Sequence, residues 1–399
     1  MNMSISWILM CGAFIFFMQA GFAMVETGFT RAKNAGNIVM KNVMDMCLGS
    51  IVFWVLGFGL MFGTDIGGFI GAPDFFVKGD YGASYPSTAY FIFQTMFCAT
   101  AATIVSGAMA ERTNFLVYCI YSVLISAVIY PISGHWIWGG GWLAQMGFHD
   151  FAGSTAVHMV GGVASLVGAK MIGARIGKYN TDGTVNAIPG HSIPLGALGV
   201  FLLWFGWFGF NAGSALSAGP LAGQALLTTH LASACGILGW MLAEWKRTGK
   251  PTSLGAVSGA LAGLVAITPG AGFVGLLPAM LIGFIGGMVC YGGVLLKNRF
   301  GYDDALDVVG IHGLGGTWGA LATGLFASAA INNVDGLFYG NPHQLWVQFV
   351  SVLGTWAFVY VVSRILLGIV DSTVGLRVAP EAEYTGLDLS EHNERGYSL

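Results

Sequence analysis

Charged side chains are scarce in this chain. Of its 399 residues only 9% are charged and 55% are hydrophobic, and the mean hydropathy is +0.72. A soluble domain carries about 25% charged residues. The composition therefore excludes a water-soluble globular protein and indicates an all-α integral membrane protein with little mass outside the bilayer.

The chain also lacks the motifs of several functional classes. Its 16 basic residues are scattered, so no nucleic-acid-binding surface is expected. None of its six cysteines forms a Cys-x-x-Cys motif, and all six fall in apolar stretches, which predicts that they are small core residues. No positive charge precedes the first apolar run, so we expect no cleaved signal peptide.

Eleven segments are long and apolar enough to be membrane spans, each of which takes about 20 residues. The predicted spans are 4–27, 39–63, 88–110, 115–133, 153–173, 193–213, 222–245, 253–269, 276–296, 305–328 and 343–372. The chain is thus predicted to contain a transmembrane domain, residues 1–372, followed by a short polar tail, residues 373–399.

The basic residues set the expected orientation. With eleven spans nearly all of them fall on one side, among them Lys41 after span one, and only Lys78 falls in a loop on the other side. Basic loops stay in the cytoplasm. We therefore expect a protein of the cell membrane with its N-terminus outside and its C-terminal tail in the cytoplasm.

Two histidines in apolar segments open the same pattern, His-x-x-Gly-Gly. His158 lies in predicted span five, and His312 lies 154 residues later in span ten. Polar rings in membrane spans are costly and mark pathways or sites. Five spans per half is an odd number, so spans 1–5 and 6–10 must form an inverted repeat, with a long eleventh helix left over. The two histidines are then predicted to meet near the membrane midplane.

The histidine pair by itself leaves several functions open. Two neutral imidazoles could line a dry path for a small neutral molecule, since each ring donates on one nitrogen and accepts on the other. They could instead be unrelated core residues, or axial ligands of a haem held between two glycine-rich helices. A metal pair is disfavoured because no carboxylate or thiolate accompanies the rings.

Acidic and aromatic residues flank the two histidines. Asp150 precedes span five and is predicted to cap the amides of that helix or to attract cations to an external mouth. Asp307 precedes His312 in a similar way, on the cytoplasmic side. The aromatic segments at 135–143 and 204–214 are typical of an interfacial belt or of a cage that attracts ammonium-type cations.

Six longer segments, spread over nearly the whole chain, are distinctive. They are MQAGFAMVETGFTRAKNAGNIVMKNVMD, FQTMFCATAATIVSGAMAER, HWIWGGGWLAQMGFHDFAGSTAVH, NAIPGHSIPLGALGVFLLWFGWFGFNAGSA, DVVGIHGLGGTWG and, in the tail, GLRVAPEAEYTGLDLSEH. Together they resemble the ammonium transporter family (Amt/Mep/Rh), in its Amt branch. The resemblance implies the eleven-span fold with its inverted five-plus-five repeat, assembled as a homotrimer with one pore per subunit.

The resemblance also implies roles for single residues. The matching positions are His158 and His312 for the twin pore histidines, Phe97 and Phe210 for the stacked gate, Trp138 and Ser214 for ammonium recruitment at the external mouth, and Asp150 for support of that mouth. Ammonium, or methylammonium as its analogue, would lose its proton near the gate, and ammonia would pass the histidines. The resemblance thus implies a transporter rather than an enzyme, and no cofactor.

The tail suggests a regulatory partner. It resembles the segment that couples subunits in this family and meets PII-type regulators, so a PII-type partner is expected. The alternative function is an ammonium sensor of the same fold, signalling through a C-terminal module. Because the chain as given ends soon after GLDLSEH, we expect transport rather than sensing.

Overall fold

The computed structural model describes residues 3–79, 81 and 86–398, and helices form nearly all of their regular structure. The first two residues of the predicted membrane domain and the last residue of the predicted tail lie outside the described residues. One short hairpin pairs strand β1 (Asp65–Ile66) with strand β2 (Ile70–Gly71). The fold is therefore all-α, as predicted.

Eleven longer helical elements follow one another in the described part of the chain, apart from short helices such as Ala329–Asn332. They are α1 (Met3–Phe29), α2 (Ala32–Phe62), α3 (Ser87–Ala108), α4 (Phe115–Gln145, interrupted at 139–141), α5 (Ser154–Ile172), α6 (Ile193–Gly213), α7 (Pro220–Thr248), α8 (Ser253–Ile267), α9 (Leu276–Phe300), α10 (309–326) and α11 (Pro342–Thr373). Within the described part of the chain, nine of them are long and apolar enough to cross a membrane. The shorter α8 and α10 occupy predicted spans eight and ten, so the count of eleven spans stays a prediction.

Two helices begin at other residues than the sequence predicted. Helix α2 begins seven residues earlier than predicted, at Ala32, and Lys41 is a buried residue of this helix rather than a loop residue. Helix α10 begins at residue 309, four residues later than predicted, because Asp304 accepts a hydrogen bond from the N–H of Val309 and ends the preceding loop there. In α2 a buried lysine looks like a loop residue in the sequence alone, whereas before α10 the loop residue Asp307 was placed inside the predicted span.

Close contacts between glycines hold the helices together. A Cβ on Gly21 of α1 would lie 2.9 Å from the backbone nitrogen of Leu203 on α6, and a Cβ on Gly199 of α6 would lie 2.6 Å from the carbonyl oxygen of Gly21. Small residues allow helix backbones to approach closely in membranes. The 62 glycines of the chain therefore allow a tightly packed bundle.

The cysteines do not all lie in the core. Cys11, Cys98 and Cys290 are buried, but Cys47 is exposed on α2. Because α2 has exposed apolar neighbours on the same surface, such as Val43 and Ile51, Cys47 belongs to an outward-facing apolar surface. The prediction of six core cysteines was wrong for this residue.

The end of the chain folds back onto the helix bundle. It forms two short helices, α12 (Pro380–Thr385) and α13 (Leu387–His392). The carboxylate of Asp388 accepts the backbone N–H of Asn37 on α2 at 2.8 Å, and the carboxylate of Glu391 accepts the backbone N–H of Phe115 on α4 at 2.9 Å. The tail is thus fixed against the ends of two long helices.

Candidate functional site: two histidines beneath an aromatic cavity

The two histidines lie at the starts of α5 and α10. His158 is in the π-helical turn Ser154–Met159, and His312 is in the π-helical turn Val309–Leu314. Their Nδ1 atoms are 3.2 Å apart, and their ring centres are 5.2 Å apart. Single π-helical turns inside α-helices are frequent at functional sites. The structure therefore brings together the two residues that the repeated motif singled out.

Glycines of the repeated motif let the two helices cross at this point. A Cβ on Gly162 of α5 would overlap the backbone of Gly313 on α10. A Cβ on Gly316 of α10 would in turn lie 2.8 Å from the carbonyl oxygen of Ser154 on α5. The second motif glycine of each half thus contacts the other half, as an internal repeat requires.

The imidazoles are held by aromatic rings. His158 stacks on Trp207 with ring centres 4.8 Å apart and an interplanar angle of 15°. The indole N–H of Trp207 donates to the hydroxyl of Thr268 at 2.8 Å, which fixes the plane of the indole. On the other side Phe22 lies 6.4 Å from His312, centre to centre. Packing therefore sets the orientation of both imidazoles.

The hydrogen bond between the histidines restricts their protonation. A bond between two Nδ1 atoms needs one that carries a proton and one that does not, so at most one ring is an imidazolium. When both rings are neutral, one Nε2 is an acceptor and the other a donor. The Nε2 of His158 is buried and bonds to none of the described residues, so it is available to a small polar molecule.

The same distance argues against a haem between the rings. Two nitrogens that bind a haem iron from opposite sides stand about 4 Å apart, because each metal–nitrogen bond is about 2.0–2.1 Å. The 3.2 Å between the Nδ1 atoms is a hydrogen-bond distance. The pair does not fit the two axial ligands of a haem.

Two stacked phenylalanines separate the histidines from a cavity. Phe97 of α3 and Phe210 of α6 lie with ring centres 4.1 Å apart and planes inclined by 33°. Both side chains are buried. Phe210 also lies 5.5 Å from His158, centre to centre. The two residues predicted to form a gate therefore lie together, in the position between cavity and histidines.

The cavity above Phe97 has a volume of about 330 Å³. Residues of its wall include Tyr90, Gln94, Phe97, Trp138, Asp150 and Ser214. The indole of Trp138 meets Phe97 edge to face at 5.9 Å, and the hydroxyl of Ser214 donates to the carbonyl of Phe210 at 2.9 Å. The predicted recruitment residues thus share one cavity with the outer ring of the stacked pair. We call it the mouth cavity.

Asp150 acts as a cap of α5. Its two carboxylate oxygens accept four backbone N–H groups, those of residues 153, 154, 155 and 156, at 2.7 to 3.0 Å. Its backbone carbonyl accepts the indole N–H of Trp138 at 2.8 Å. Burial raises the pKa of Asp150, against the opposite effect of the four hydrogen bonds. This geometry supports the capping alternative and also explains how Asp150 positions Trp138.

The counterpart of Asp150 in the second half is Asp304, not Asp307. Asp304 lies eight residues before His312, as Asp150 lies eight residues before His158, and it too accepts a backbone N–H at the start of its helix. Asp307 instead has φ +62° and forms an ion pair with Lys297. The equality of the two spacings was the signal in the sequence that would have identified Asp304.

Sequence reasoning also missed a second buried polar group. Glu26, Lys41 and Asp45 are each no more than 3% exposed although they lie in α1 and α2. Trp207, the ring beneath His158, was not singled out either. Lys41 was counted with the basic loop residues, whereas Glu26 and Asp45 lay inside predicted spans and were not singled out.

Comparison with known proteins identifies the family. The model of the Ammonium Transporter Family matches residues 6–397. The chain is 44% identical to the ammonium transporter Amt2 of Archaeoglobus fulgidus, over 98% of this chain and 87% of that one. It is 43% identical to the ammonium transporter of Bacillus subtilis, over 98% and 97%.

Solved structures agree with this assignment. A protein described as Sensor Amt Protein superposes with a TM-score of 0.93 at 36% identity, over 98% of both chains. Mep2 of Saccharomyces cerevisiae superposes with a TM-score of 0.88 at 31% identity, over 95% of this chain and 88% of that one. By its sequence and by its fold, the chain is a member of the ammonium transporter family.

Proposed function

We propose that each subunit takes up ammonium in the mouth cavity and conducts ammonia past the two histidines. The observation that carries this proposal is the order of the groups: the mouth cavity, then Phe97 and Phe210, then the hydrogen-bonded pair of His158 and His312. Each step along this line is drier and less able to hold a charge than the one before. The line suits a substrate that arrives as a cation and continues as a neutral molecule.

The mouth cavity is suited to recruit the cation. The aromatic face of Trp138 attracts ammonium-type cations, and the hydroxyl oxygen of Ser214 is an acceptor for an N–H of the substrate. Its walls contain no lysine or arginine among the described residues. Asp150 holds the indole in place through its backbone carbonyl. Methylammonium fits the same recognition.

The stacked pair and the histidines then favour the neutral form. With ring centres 4.1 Å apart, Phe97 and Phe210 leave no space for a hydrated ion. Removing the water shell of a cation costs far more than removing that of a neutral amine. Ammonium therefore gives up a proton above the gate, and the Nε2 atoms of the histidine pair offer ammonia both an acceptor and a donor.

The assembly and orientation belong to the same proposal. The subunit forms a homotrimer in the cell membrane, with the mouth cavity outside and residues 373–399 as a cytoplasmic tail beyond the transmembrane domain, 1–372. Support comes from the tail itself, which lies on the face where the basic loop residues gather, as the bond of Lys33 to the tail carbonyl of Glu383 shows. A PII-type regulator would meet this surface. Native mass spectrometry tests the trimer.

Sensing is the second candidate function, and one observation favours it. The Sensor Amt Protein superposes with a higher TM-score than Mep2. The curated transporters, in contrast, are more similar to this chain in sequence, at 43 to 44% identity against 36%. The sequence similarity therefore favours transport.

Ammonia flux into proteoliposomes separates the two functions. After an ammonium jump outside the vesicles, the total ammonia plus ammonium inside should rise faster than in protein-free vesicles of the same lipid. Excess flux that saturates with ammonium supports transport. Binding of methylammonium to the protein without excess flux would contradict transport and support sensing.

A further inference from the structure

A cluster of ionisable side chains lies buried between α1, α2 and α4, apart from the histidines. It consists of Glu26, Lys41, Asp45 and Tyr118, none of which is more than 3% exposed. We call it the carboxyl–ammonium cluster. Ionisable residues within membrane spans are costly and mark ion or proton pathways. The transport route described above makes no use of this cluster.

Direct contacts join the members of the cluster. The hydroxyl of Ser106 donates to Glu26 at 2.6 Å, and the ammonium of Lys41 donates to the backbone carbonyl of Ser106 at 3.1 Å. Lys41 also stands 4.9 Å from the ring centre of Tyr118, whose hydroxyl donates to one oxygen of Asp45 at 2.6 Å. The other oxygen of Asp45 is buried and bonds to none of the described residues.

The charges of the cluster do not balance. Two carboxylates face one ammonium, and burying an uncompensated charge costs several kcal/mol. The other ionisable groups nearby are Cys98 of α3 and, between α3 and α4, Glu111 and Arg112. Glu111 is paired with two arginines, and Arg112 is a further cation nearby, whose guanidinium donates to backbone carbonyls and not to a carboxylate of the cluster. One proton on a carboxyl group makes the cluster neutral.

A line of hydroxyl groups leads away from the cluster along α4. Ser122, Ser126 and Tyr130 follow Tyr118 at intervals of four residues, and all are no more than 2% exposed. None of these three hydroxyls makes a hydrogen bond of standard geometry to the described residues, although Ser122 lies next to Asp45 and Ser126 next to Cys98. Buried polar atoms of this kind normally bind ordered water. We call these three residues the hydroxyl line.

The hydroxyl line is long enough to extend across much of the membrane. At a rise of 1.5 Å per residue, the helix from Tyr118 to Tyr130 spans about 18 Å, which is more than half of a hydrocarbon core about 30 Å thick. Tyr130 begins the segment Tyr130–Trp138 of α4, which contacts the start of α5 and ends at Trp138 in the wall of the mouth cavity. Gln94, in the wall of that cavity, has a buried carbonyl oxygen without a partner among the described residues. The line therefore begins close to the mouth cavity.

We propose that the carboxyl–ammonium cluster binds the proton that ammonium leaves at the mouth cavity, and that the hydroxyl line delivers it. This inference rests on the proposed function. One N–H bond of ammonium breaks and releases ammonia toward the histidines. Its proton moves through water along Tyr130, Ser126 and Ser122, and an O–H bond forms on the carboxylate of Asp45 or Glu26. That bond breaks again when the proton leaves toward the face that carries Glu111.

The test compares the full-length protein with Asp45→Asn in proteoliposomes. Two quantities are measured after an ammonium jump: the current on a solid-supported membrane and the ammonia flux, taken as the total ammonia plus ammonium that accumulates inside the vesicles. We expect Asp45→Asn to lower the current by about tenfold or more, as the loss of a positioned proton-transfer group does, with ammonia flux largely retained. Equal currents, or current and flux reduced in the same proportion, would overturn the inference.

The wild-type protein separates this inference from the proposed function. Ammonia flux without any current overturns the inference and leaves the proposed function standing. The absence of both flux and current overturns the proposed function, and the inference with it.

Two matched serine variants keep the inference testable if Asp45→Asn does not fold. Ser126→Ala removes one hydroxyl of the line, and Ser351→Ala removes an equally buried hydroxyl on α11 that also lacks a partner among the described residues. Only the first should lower the current. A current lowered equally by both contradicts the hydroxyl line.

Infrared spectroscopy tests proton binding without any transport. The wild-type protein should show the carbonyl band of a buried protonated carboxyl group, and Asp45→Asn or Glu26→Gln should remove or shift it. A spectrum in which neither variant changes such a band would overturn the assignment of the cluster.

Discussion

The two ends of the proposed pathway differ in charge although they begin alike. Beside the start of α5 lies the mouth cavity, with no lysine or arginine among the described residues of its wall. Beside the start of α10 lies a cavity of about 200 Å³ whose wall includes Arg175, Lys178, Lys297 and Asp307. The repeat thus supplies two similar helix starts with different surroundings. The cavity at one end suits cations, and the wall of the cavity at the other end contains more positive than negative side chains.

The crossing of α5 and α10 should be the most sensitive part of this arrangement. In Gly162→Ala the new methyl group would overlap the backbone of Gly313, and a backbone yields less easily than a side chain. Overpacking of this kind costs about 1–3 kcal/mol or more. We expect little folded protein, measured as the monodisperse fraction in detergent.

A glycine in open space provides the control. Gly223→Ala on α7 adds a methyl group with no atom within 4 Å and should leave the folded yield unchanged. Equal folded yields of Gly162→Ala and the wild-type protein would show that the two helices do not cross as described.

The two helix-capping aspartates should respond differently to amidation. Asp150→Asn leaves one acceptor oxygen for four buried N–H donors and should cost about 3 kcal/mol, since hydrogen bonds to a charged group contribute about 1.5–3 kcal/mol each. Asp304→Asn should be neutral or stabilising near pH 7, because burial penalises its charge. Thermal unfolding in detergent measures both. A similar loss of stability in both variants would contradict the different responses expected for Asp150 and Asp304.

Titration of Asp303 and titration of Asp304, both just before α10, should change the stability of the protein in opposite directions. Burial raises the pKa of Asp304 to about 6, although Lys297 opposes the rise. Burial acts on Asp303 too, but the hydrogen bonds and charge of Arg175 outweigh it and hold its pKa well below the usual value.

The signs of these shifts fix two pH windows. Between about pH 4 and pH 6 unfolded Asp304 loses its proton before the folded form does, so stability falls by up to about 3 kcal/mol as pH rises. Asp303 contributes stability above about pH 4 that is lost as pH falls further. Asp304→Asn should remove the first dependence and Asp303→Asn the second. Unfolding temperatures measured against pH check both, and an unchanged slope in either variant would contradict its assignment.

The smallest expected effect concerns affinity at the mouth cavity. Ser214→Ala removes one acceptor and Trp138→Leu removes the aromatic face, so each should weaken the apparent affinity for methylammonium about fivefold, equivalent to roughly 1 kcal/mol. Lys178→Gln in the other cavity should leave the affinity for externally added substrate unchanged. The apparent affinity is obtained from the rate of uptake measured as a function of methylammonium concentration. Equal shifts in all three variants would contradict the contrast between the cavities.

The backbone arrangement could be predicted largely from the sequence. The all-helical class follows from hydropathy alone, and the repeated His-x-x-Gly-Gly motif predicted that His158 and His312 come together. The aromatic and serine residues of the mouth cavity were identified by resemblance, since nothing in their spacing shows that Trp138 and Ser214 face one cavity. The site roles of these residues stay a prediction.

Buried charge explains what could not be predicted. Lys41 looked like a cytoplasmic loop residue because a lone lysine in the sequence gives no sign of the carboxylates of Glu26 and Asp45 that accompany it in the fold. Asp304 and Asp307 both precede His312, and only the equal spacing of eight residues favours Asp304 in the sequence. Their partners, a backbone N–H for one and Lys297 for the other, show that Asp304 caps the helix. Tertiary partners decide such cases.

The histidine pair is the centre of this account, and one measurement tests it directly. The double variant His158→Leu/His312→Leu and the wild-type protein are reconstituted in the same lipid, and the current after an ammonium jump is recorded on a solid-supported membrane. The account predicts a saturable, ammonium-selective current in the wild-type protein that the double variant loses or carries without selectivity over potassium. A current of the same size and selectivity in both proteins would contradict the role of the pair.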